Sequence, residues 1–308
     1  MALSVSEVGP PRHGPLDRLS DVLPVDPVGT DRFASGATAA VFDRLYGGQV
    51  LAQSLLAAAA TVEPGRHVHS LHAYFLRIGA PTEPVSFDVE RLGDTRSFST
   101  RLVRAAQPAG LLTTALLSFH RPAAEMFAHA DPMPAVPPPE VFASRDDRLL
   151  DHYRGDPPVN SGFGWPVEIR YIDREPWSVA PSAGRNRMWI RLRQEADVTE
   201  STTSTLMSAA LLVFTSDLTM FEPVIARHDI AWDELIRGET MFGATLDHSF
   251  WLHREFVFDD WLLHVQESTV AASGRGLTTG RFYARDGRLV ASVAQEIMVK
   301  TTRAGGGP

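Results

Sequence analysis

The chain of 308 residues contains no cysteine, and Lys300 is its only lysine. The absence of cysteine excludes disulfides, cysteine–zinc sites and thiolate nucleophiles. The scarcity of lysine disfavours catalysis through a lysine Schiff base. Both features narrow the covalent chemistry that is open to this protein.

Long hydrophobic runs are also missing from the chain. No window reaches the length of about 18 apolar residues that a membrane helix needs. Residues 1–21 lack the basic start and apolar run of a secretory signal. We therefore expect no membrane span and a cytoplasmic location.

The formal net charge of −8 at pH 7 argues against a nucleic-acid partner, because a broad phosphate-binding surface needs a basic stripe.

Two apolar stretches, at residues 45–60 and 206–218, stand out in what the chain does contain. Apolar residues occupy every side of these stretches, which is typical of a fully enclosed helix. A buried strand gives a similar short run, but the length and the alanine content favour helices.

The segments that follow the two stretches resemble one another. His69 and Ser70 recur as His248 and Ser249, in each case 179 positions later. Residues 95–100 align with residues 274–279 at the same spacing. A constant offset is the mark of an internal duplication.

Strand patterns accompany each predicted helix. Residues 87–92 alternate apolar and polar, as a half-buried strand does. Asp286 and Gly287 separate two apolar runs, which is a hairpin-turn signature, and residues 107–110 hold the same place in the first copy. Residues 166–172 and 187–192 are further strand candidates before the second helix.

The sequence thus predicts an α+β fold of two tandem units, each a long buried helix wrapped by an antiparallel sheet. Joining the two sheets edge to edge would cover both the apolar surface and the open strand edges. We place an N-terminal unit at residues 1–122, a proline-rich connector at 123–158 and a C-terminal unit at 159–303. A short helix is expected in the connector near residues 146–153.

Asp217 is a chemical candidate on its surroundings alone. A carboxylate among apolar residues is costly unless it is paired, and desolvation raises its pKa toward that of a useful general base. The alternative is a capping or solvated residue at an exposed helix end. The apolar neighbours in the sequence are Leu211, Leu212, Val213, Phe214, Leu218 and Phe221.

Five motifs resemble those of the type II acyl-CoA thioesterases and occur in the same order. They read Tyr-Gly-Gly-Gln-Val at 46–50, Val-His-Ser-Leu-His-Ala-Tyr-Phe-Leu-Arg at 68–77, Ser-Asp-Leu at 216–218, Ala-Thr-Leu-Asp-His-Ser-Phe-Trp at 244–251 and Ala-Gln-Glu at 294–296. The resemblance spans residues 16–300. It implies a double hotdog fold and hydrolysis of acyl-CoA to a free fatty acid and CoA, with no metal and no cofactor.

Carried over residue by residue, the resemblance implies that Asp217, Thr245 and Gln295 are catalytic and hold the attacking water. Asp217 would accept a proton from that water, while the hydroxyl of Thr245 and the amide of Gln295 orient it. For Thr245 and Gln295, the alternative is a polar strand residue that faces solvent.

The predicted substrate-binding residues are Gly47, Gly48, Gln49 and Arg275. A glycine pair at a helix start can offer backbone amides to a carbonyl or phosphate oxygen, or it can simply permit close packing. Arg275, like Arg96 in the first copy, is a candidate for the CoA phosphates. A solvated surface arginine is the alternative in both cases.

Two other functions stay open at this point. A hotdog protein could bind acyl-CoA without hydrolysing it, although the complete set of catalytic candidates argues against this. A dehydratase would need a histidine with a carboxylate partner, and His248 with Asp247 is the candidate pair.

Three remaining features carry smaller expectations. His67, His69 and His72 share a strand, but we expect hydrogen-bonded histidines and no metal site. Extra residues between Asp217 and Thr245, including 232–238, depart from the family pattern, and we expect this insertion to reshape the acyl-chain pocket. Exposed sheet edges and the family pattern predict a homodimer or a larger homo-oligomer.

Overall fold

The computed structural model describes residues 23–36, 44–158, 161–178, 183–193, 205–228, 230, 232–233 and 241–301. Most of the predicted insertion at 232–238 lies outside these residues, so its expected effect on the pocket stays a prediction. No helix among the described residues is long and apolar enough to cross a membrane.

The described residues form four α-helices and thirteen β-strands. The helices are α1 (Gly47–Ala59), α2 (Arg145–His152), α3 (Thr205–Ser216) and α4 (Glu222–Ala226). The first strands are β1 (Asp26–Gly29), β2 (Arg32–Ala34), β3 (His67–Phe75), β4 (Ser86–Asp94), β5 (Phe98–Gln107), β6 (Gly110–His120) and β7 (Val167–Tyr171). The others are β8 (Arg185–Leu192), β9 (Met241–Thr245), β10 (Asp247–Leu252), β11 (Leu262–Ala272), β12 (Arg275–Ala284) and β13 (Leu289–Thr301).

These strands belong to one antiparallel sheet in the order β1-β2-β4-β5-β6-β3-β10-β13-β12-β11-β8-β7, with β9 paired to β13 beside this path. The central pairing joins β3 to β10, with Leu71 opposite Phe250. A strand of the first segment thus pairs with a strand of the second, as expected for two sheets joined at their edges. The large sheet with few helices fits the predicted double hotdog fold, whereas the unit boundaries stay a prediction.

The two predicted apolar helices are present as α1 and α3, and both are enclosed. Small residues allow the two helices to approach closely. A Cβ atom added to Gly48 would lie 2.5 Å from the backbone oxygen of Phe214, which is closer than real Cβ contacts come. The beginning of α1 is therefore packed directly against the end of α3, where the candidate residues Gly47, Gly48 and Asp217 lie.

The local predictions of strands and turns are confirmed. The segment at 87–92 lies within β4, and the two hairpin turns join β5 to β6 and β12 to β13. The strand candidates at 166–172 and 187–192 correspond to β7 and β8, and the short connector helix is α2.

Candidate active site

Asp217 is the residue that directly follows α3, and it is only 8% exposed. Asp217 is therefore not solvated at an exposed helix end, which was the alternative that the sequence left open. It also lies one residue beyond the helix and not within it. Its position sets it between two helix ends, because the beginning of α1 contacts the end of α3. The carbonyl end of α3 disfavours a negative charge, whereas the amide end of α1 favours it.

The first helix holds the carboxylate through its backbone. The Gly48 amide donates to Oδ2 of Asp217 at 2.9 Å. A Cβ atom on Gly47 would come within 2.9 Å of the same oxygen and of the Phe75 ring. Glycine at these positions thus permits close approach, and the Gly48 amide is engaged by Asp217 instead of pointing at a substrate oxygen.

Burial raises the pKa of the Asp217 carboxyl above its ordinary value of 3.8. The nearby His248 ring and the hydrogen bonds from Gly48, Gln295 and Thr245 favour the ionised form and offset part of this increase. A carboxylate with a raised pKa is a stronger base, which is the property that proton abstraction from water needs.

Thr245 and Gln295 meet at this carboxylate from two paired strands. Thr245 ends β9 and lies opposite Ile297 of β13, while Gln295 is fully buried on β13. The Gln295 Nε2 donates to Thr245 Oγ1 at 3.0 Å, and Thr245 Oγ1 lies 3.5 Å from Oδ1 of Asp217. The structure therefore brings the three predicted catalytic residues together, and Gln295 does not face solvent.

Sequence reasoning missed the part that His248 plays in this cluster. The ring is fully buried on β10, with Nδ1 2.6 Å from Gln295 Oε1 and Nε2 2.9 Å from Ser216 Oγ. Asp247, the carboxylate expected beside it in a dehydratase, instead accepts the backbone amide of Glu296 at 2.9 Å. The sequence signal that could have pointed to His248 was its place in the same motif as Thr245.

A cavity of about 440 Å³ opens beside the cluster. Asp217, Thr245 and Gly47 lie in its wall. Most of the remaining lining is apolar and includes Val50, Phe75, Leu112, Trp165, Phe221 and Phe242. Arg44 and Arg77 also line the cavity, so it combines an apolar surface with two cationic side chains and one carboxylate.

Two predicted substrate-binding residues lie elsewhere. Gln49 is buried in α1, where its Nε2 has no hydrogen-bond partner in the described structure, and it does not line this cavity. The guanidinium of Arg275 is engaged by Glu296 at 2.9 Å and borders a separate cavity of about 280 Å³. The structure therefore places neither beside Asp217.

The three histidines of β3 contact ordinary protein groups, and His67 Nδ1 lies 3.3 Å from a carboxylate oxygen of Glu255. His69 contacts the Ser118 hydroxyl at 2.8 Å, and His72 contacts that of Ser249 at 3.1 Å. Within the part of the chain that the structure describes, no group of three His, Asp or Glu residues could hold a metal ion.

Comparison with known proteins points to one family. Residues 37–120 match the model of the acyl-CoA thioesterase N-terminal domain, and residues 130–299 match that of the acyl-CoA thioesterase C-terminal domain. Acyl-coenzyme A thioesterase 8 of Homo sapiens is 32% identical over 296 residues, which cover 92% of this chain and 88% of that protein.

Solved structures agree with these matches. The crystal structure of an acyl-CoA thioesterase II from Mycobacterium marinum has a TM-score of 0.74 and 31% identity, covering 94% of this chain and 99% of that one. A protein of unknown function with a hot dog fold from Alicyclobacillus acidocaldarius has a TM-score of 0.71 at 18% identity, covering 91% and 97% respectively, and supports the fold.

Proposed function

This chain belongs to the type II acyl-CoA thioesterase family and is a thioester hydrolase that acts on acyl-CoA, and from this premise we propose that Asp217 activates the attacking water. The observation that carries the proposal is a buried carboxylate at the cavity wall, in contact with Thr245 and Gln295. A non-hydrolytic acyl-CoA carrier would not need a base in this position.

The geometry supports a specific place for the water. Oδ2 of Asp217 is held by the Gly48 amide at 2.9 Å, whereas Oδ1 has the longer contact with Thr245, so we assign Oδ1 as the base. Oδ1 and Thr245 Oγ1 are 3.5 Å apart, so one water molecule can hydrogen-bond to both atoms at once.

The reaction then has two steps. As the water oxygen attacks the thioester carbonyl, its proton moves to Asp217 and a tetrahedral intermediate forms. The intermediate collapses with cleavage of the carbon–sulfur bond, and the CoA thiolate takes the proton back, which regenerates the carboxylate. The amino-terminal end of α1, where Gly47 lines the cavity, favours the negative charge that develops on the carbonyl oxygen.

The cavity lining also supports an orientation of the substrate. Apolar side chains such as Phe75 and Trp165 suit the acyl chain, because burying its methylene groups is favourable. Arg77 is exposed and lies on the same cavity, together with Arg44. We assign the phosphates of CoA to these two arginines, in place of Arg275.

The test is the substitution Asp217→Asn, which keeps the shape of the side chain and removes the base. We expect kcat for acyl-CoA hydrolysis, followed by thiol release, to fall about a hundredfold or more. Asp247→Asn is the matched control, because its side-chain oxygen can still accept the Glu296 amide. Near-normal thiol release by Asp217→Asn would contradict the proposed base.

The expected homo-oligomer and the cytoplasmic location stay predictions. Light scattering on the purified chain gives its molar mass and tests the first of them. A panel of acyl-CoA chain lengths, assayed by thiol release, identifies the preferred acyl group.

A further inference from the structure

We propose that His248 is a positioning residue, which fixes the side-chain amide of Gln295 with its nitrogen toward Thr245. This inference rests on the proposed function. His248 is fully buried and is not part of the cavity lining, so it acts on the reaction through Gln295 and not on the substrate.

The direction of each hydrogen bond follows from the carboxylate. An ionised Asp217 can only accept, so the single hydroxyl proton of Thr245 points toward it. The Thr245 oxygen must then accept from Gln295 Nε2, at 3.0 Å. The other end of the amide, Oε1, is an acceptor and lies 2.6 Å from His248 Nδ1, which must therefore carry a proton.

The contact of the second ring nitrogen is compatible with a proton on Nδ1 in both charge states of His248. Its Nε2 lies 2.9 Å from the Ser216 hydroxyl, which is also 2.9 Å from the Val213 carbonyl oxygen. In a neutral ring the hydroxyl donates to Nε2, and in a charged ring Nε2 donates to the hydroxyl, which donates to Val213. The proton on Nδ1 faces Gln295 in either case.

Without this donor the amide would have a second orientation. A flipped Gln295 would place Oε1 against Thr245, whose proton would then turn from Asp217 to the amide oxygen. The carboxylate would lose a donor that favours its ionised form, and the water would lose its fixed acceptors and donors. A His248 ring that carries its proton on Nδ1 disfavours this state, because that proton would face an NH2 group.

Three variants separate positioning from mere structural support. His248→Leu removes the donor, whereas His248→Asn places an amide nitrogen near the position of Nδ1 and can donate to Gln295. His264→Leu is the matched control, since His264 is a fully buried ring stacked on Phe282. The control removes a buried imidazole and leaves Gln295 with its partner.

For His248→Leu we expect kcat to fall about tenfold or more with little change in KM, because misplacing catalytic groups affects the transition state more than binding. The acidic limb of the kcat/KM profile should move to higher pH as Asp217 loses stabilisation of its charge. His248→Asn should recover most of both changes. His264→Leu should keep kcat even if its melting temperature falls.

Two results would overturn the proposal while leaving the proposed function intact. One is a folded His248→Leu enzyme with wild-type kcat alongside an inactive Asp217→Asn enzyme. The other is His248→Asn being as impaired as His248→Leu when both have native melting temperatures. An active Asp217→Asn enzyme would instead contradict the proposed function itself.

A measurement on the unaltered protein applies even if the His248 variants do not fold. Nitrogen-15 NMR reports which ring nitrogen of His248 carries the proton. We expect Nδ1 to be protonated across the pH range of activity, and a ring protonated on Nε2 alone would overturn the assignment.

Discussion

At the scale of single residues, the site depends on Asp217, whose surroundings have opposite effects on the pKa of its carboxyl group. Burial raises the pKa of Asp217, while Gly48, Thr245 and Gln295 stabilise its charge through hydrogen bonds. The result is a buried carboxylate whose pKa is raised although both of its oxygens have hydrogen-bond partners. Such a balance depends on contacts between residues far apart in the sequence, so composition alone could indicate only the burial.

The pH dependence of catalysis should report this balance. A protonated Asp217 cannot accept a proton from water, so kcat/KM should fall on the acidic side at a pH above 3.8, the ordinary value for aspartate. Thr245→Val removes a hydrogen bond that lowers the pKa of Asp217 and should move that limb to higher pH. Thr215→Val, at a buried threonine bonded to the Leu211 carbonyl, should not.

Glycine at position 47 gives a second residue-scale prediction. Gly47→Ala would place a methyl group 2.9 Å from Oδ2 of Asp217 and from Phe75, so the carboxylate must shift. We expect kcat to fall about tenfold or more, since small displacements at a reacting centre are costly. Gly93→Ala is the control, because an added Cβ there meets nothing within 4 Å. Equal kcat values for the two variants would contradict this account.

At the scale of secondary-structure elements, local patterns predicted much of the fold. The alanine-rich run of α1 and the turn at Asp286 and Gly287 are signals carried by neighbouring residues. The pairing of β9 with β13 is different, because Thr245 and Gln295 are 50 positions apart and no local pattern encodes their contact. These two residues were singled out together with Asp217 because the family resemblance supplied what local patterns could not, and their catalytic roles stay a proposal.

The short helix α4 shows an element-scale effect that sequence reasoning did not foresee. Glu222 at its start is fully buried and accepts hydrogen bonds from Tyr171 of β7 and Asn186 of β8, both at 2.7 Å. Burial raises the pKa of Glu222 from 4.5 to about 7. The folded state therefore binds this proton more tightly than the unfolded chain does.

This raised pKa predicts a pH dependence of stability. The stabilisation by the proton is fully present below pH 4.5 and is lost as the pH rises through about 7. At 1.36 kcal/mol per pKa unit, the loss is on the order of 3 kcal/mol. Glu222→Gln should remove this decrease, because a neutral amide does not titrate between these pH values. Its side-chain oxygen can still accept from Tyr171, and rotation of the Asn186 amide would let Asn186 Oδ1 accept from the new NH2 group.

Urea unfolding at pH 5 and pH 8 tests this prediction. The free energy of unfolding of the wild-type protein should decrease more between the two pH values than that of Glu222→Gln. Taking the difference cancels the contributions of other titrating groups. Identical pH dependence in both proteins would show that Glu222 titrates normally.

At the scale of the whole molecule, the two helical segments and the continuous sheet should unfold together. The pairing of β3 with β10 joins the segments through the backbone, and α1 is packed against α3 at Gly48 and Phe214. Loss of either segment would expose the apolar surface of the other, which favours a single cooperative transition.

The distribution of tryptophan makes this measurable. All six tryptophans lie between residues 165 and 261, so their fluorescence reports on the C-terminal part of the chain. Circular dichroism at the helical band reports on α1 as well as α3. We expect the two urea transitions to coincide, whereas a separate fluorescence midpoint would show that the segments unfold independently.

The hydrogen bond between Gly48 and Asp217 has a consequence for any attempt to divide the protein. The amide belongs to α1 and the carboxylate to the residue that follows α3, 169 positions later. Since Asp217 is the proposed base and Gly48 holds it, we expect a fragment that encodes only one of the two segments to lack thioesterase activity. Co-expressed fragments would regain it only by reassociating, which makes recovered thiol release a sensor of their complementation.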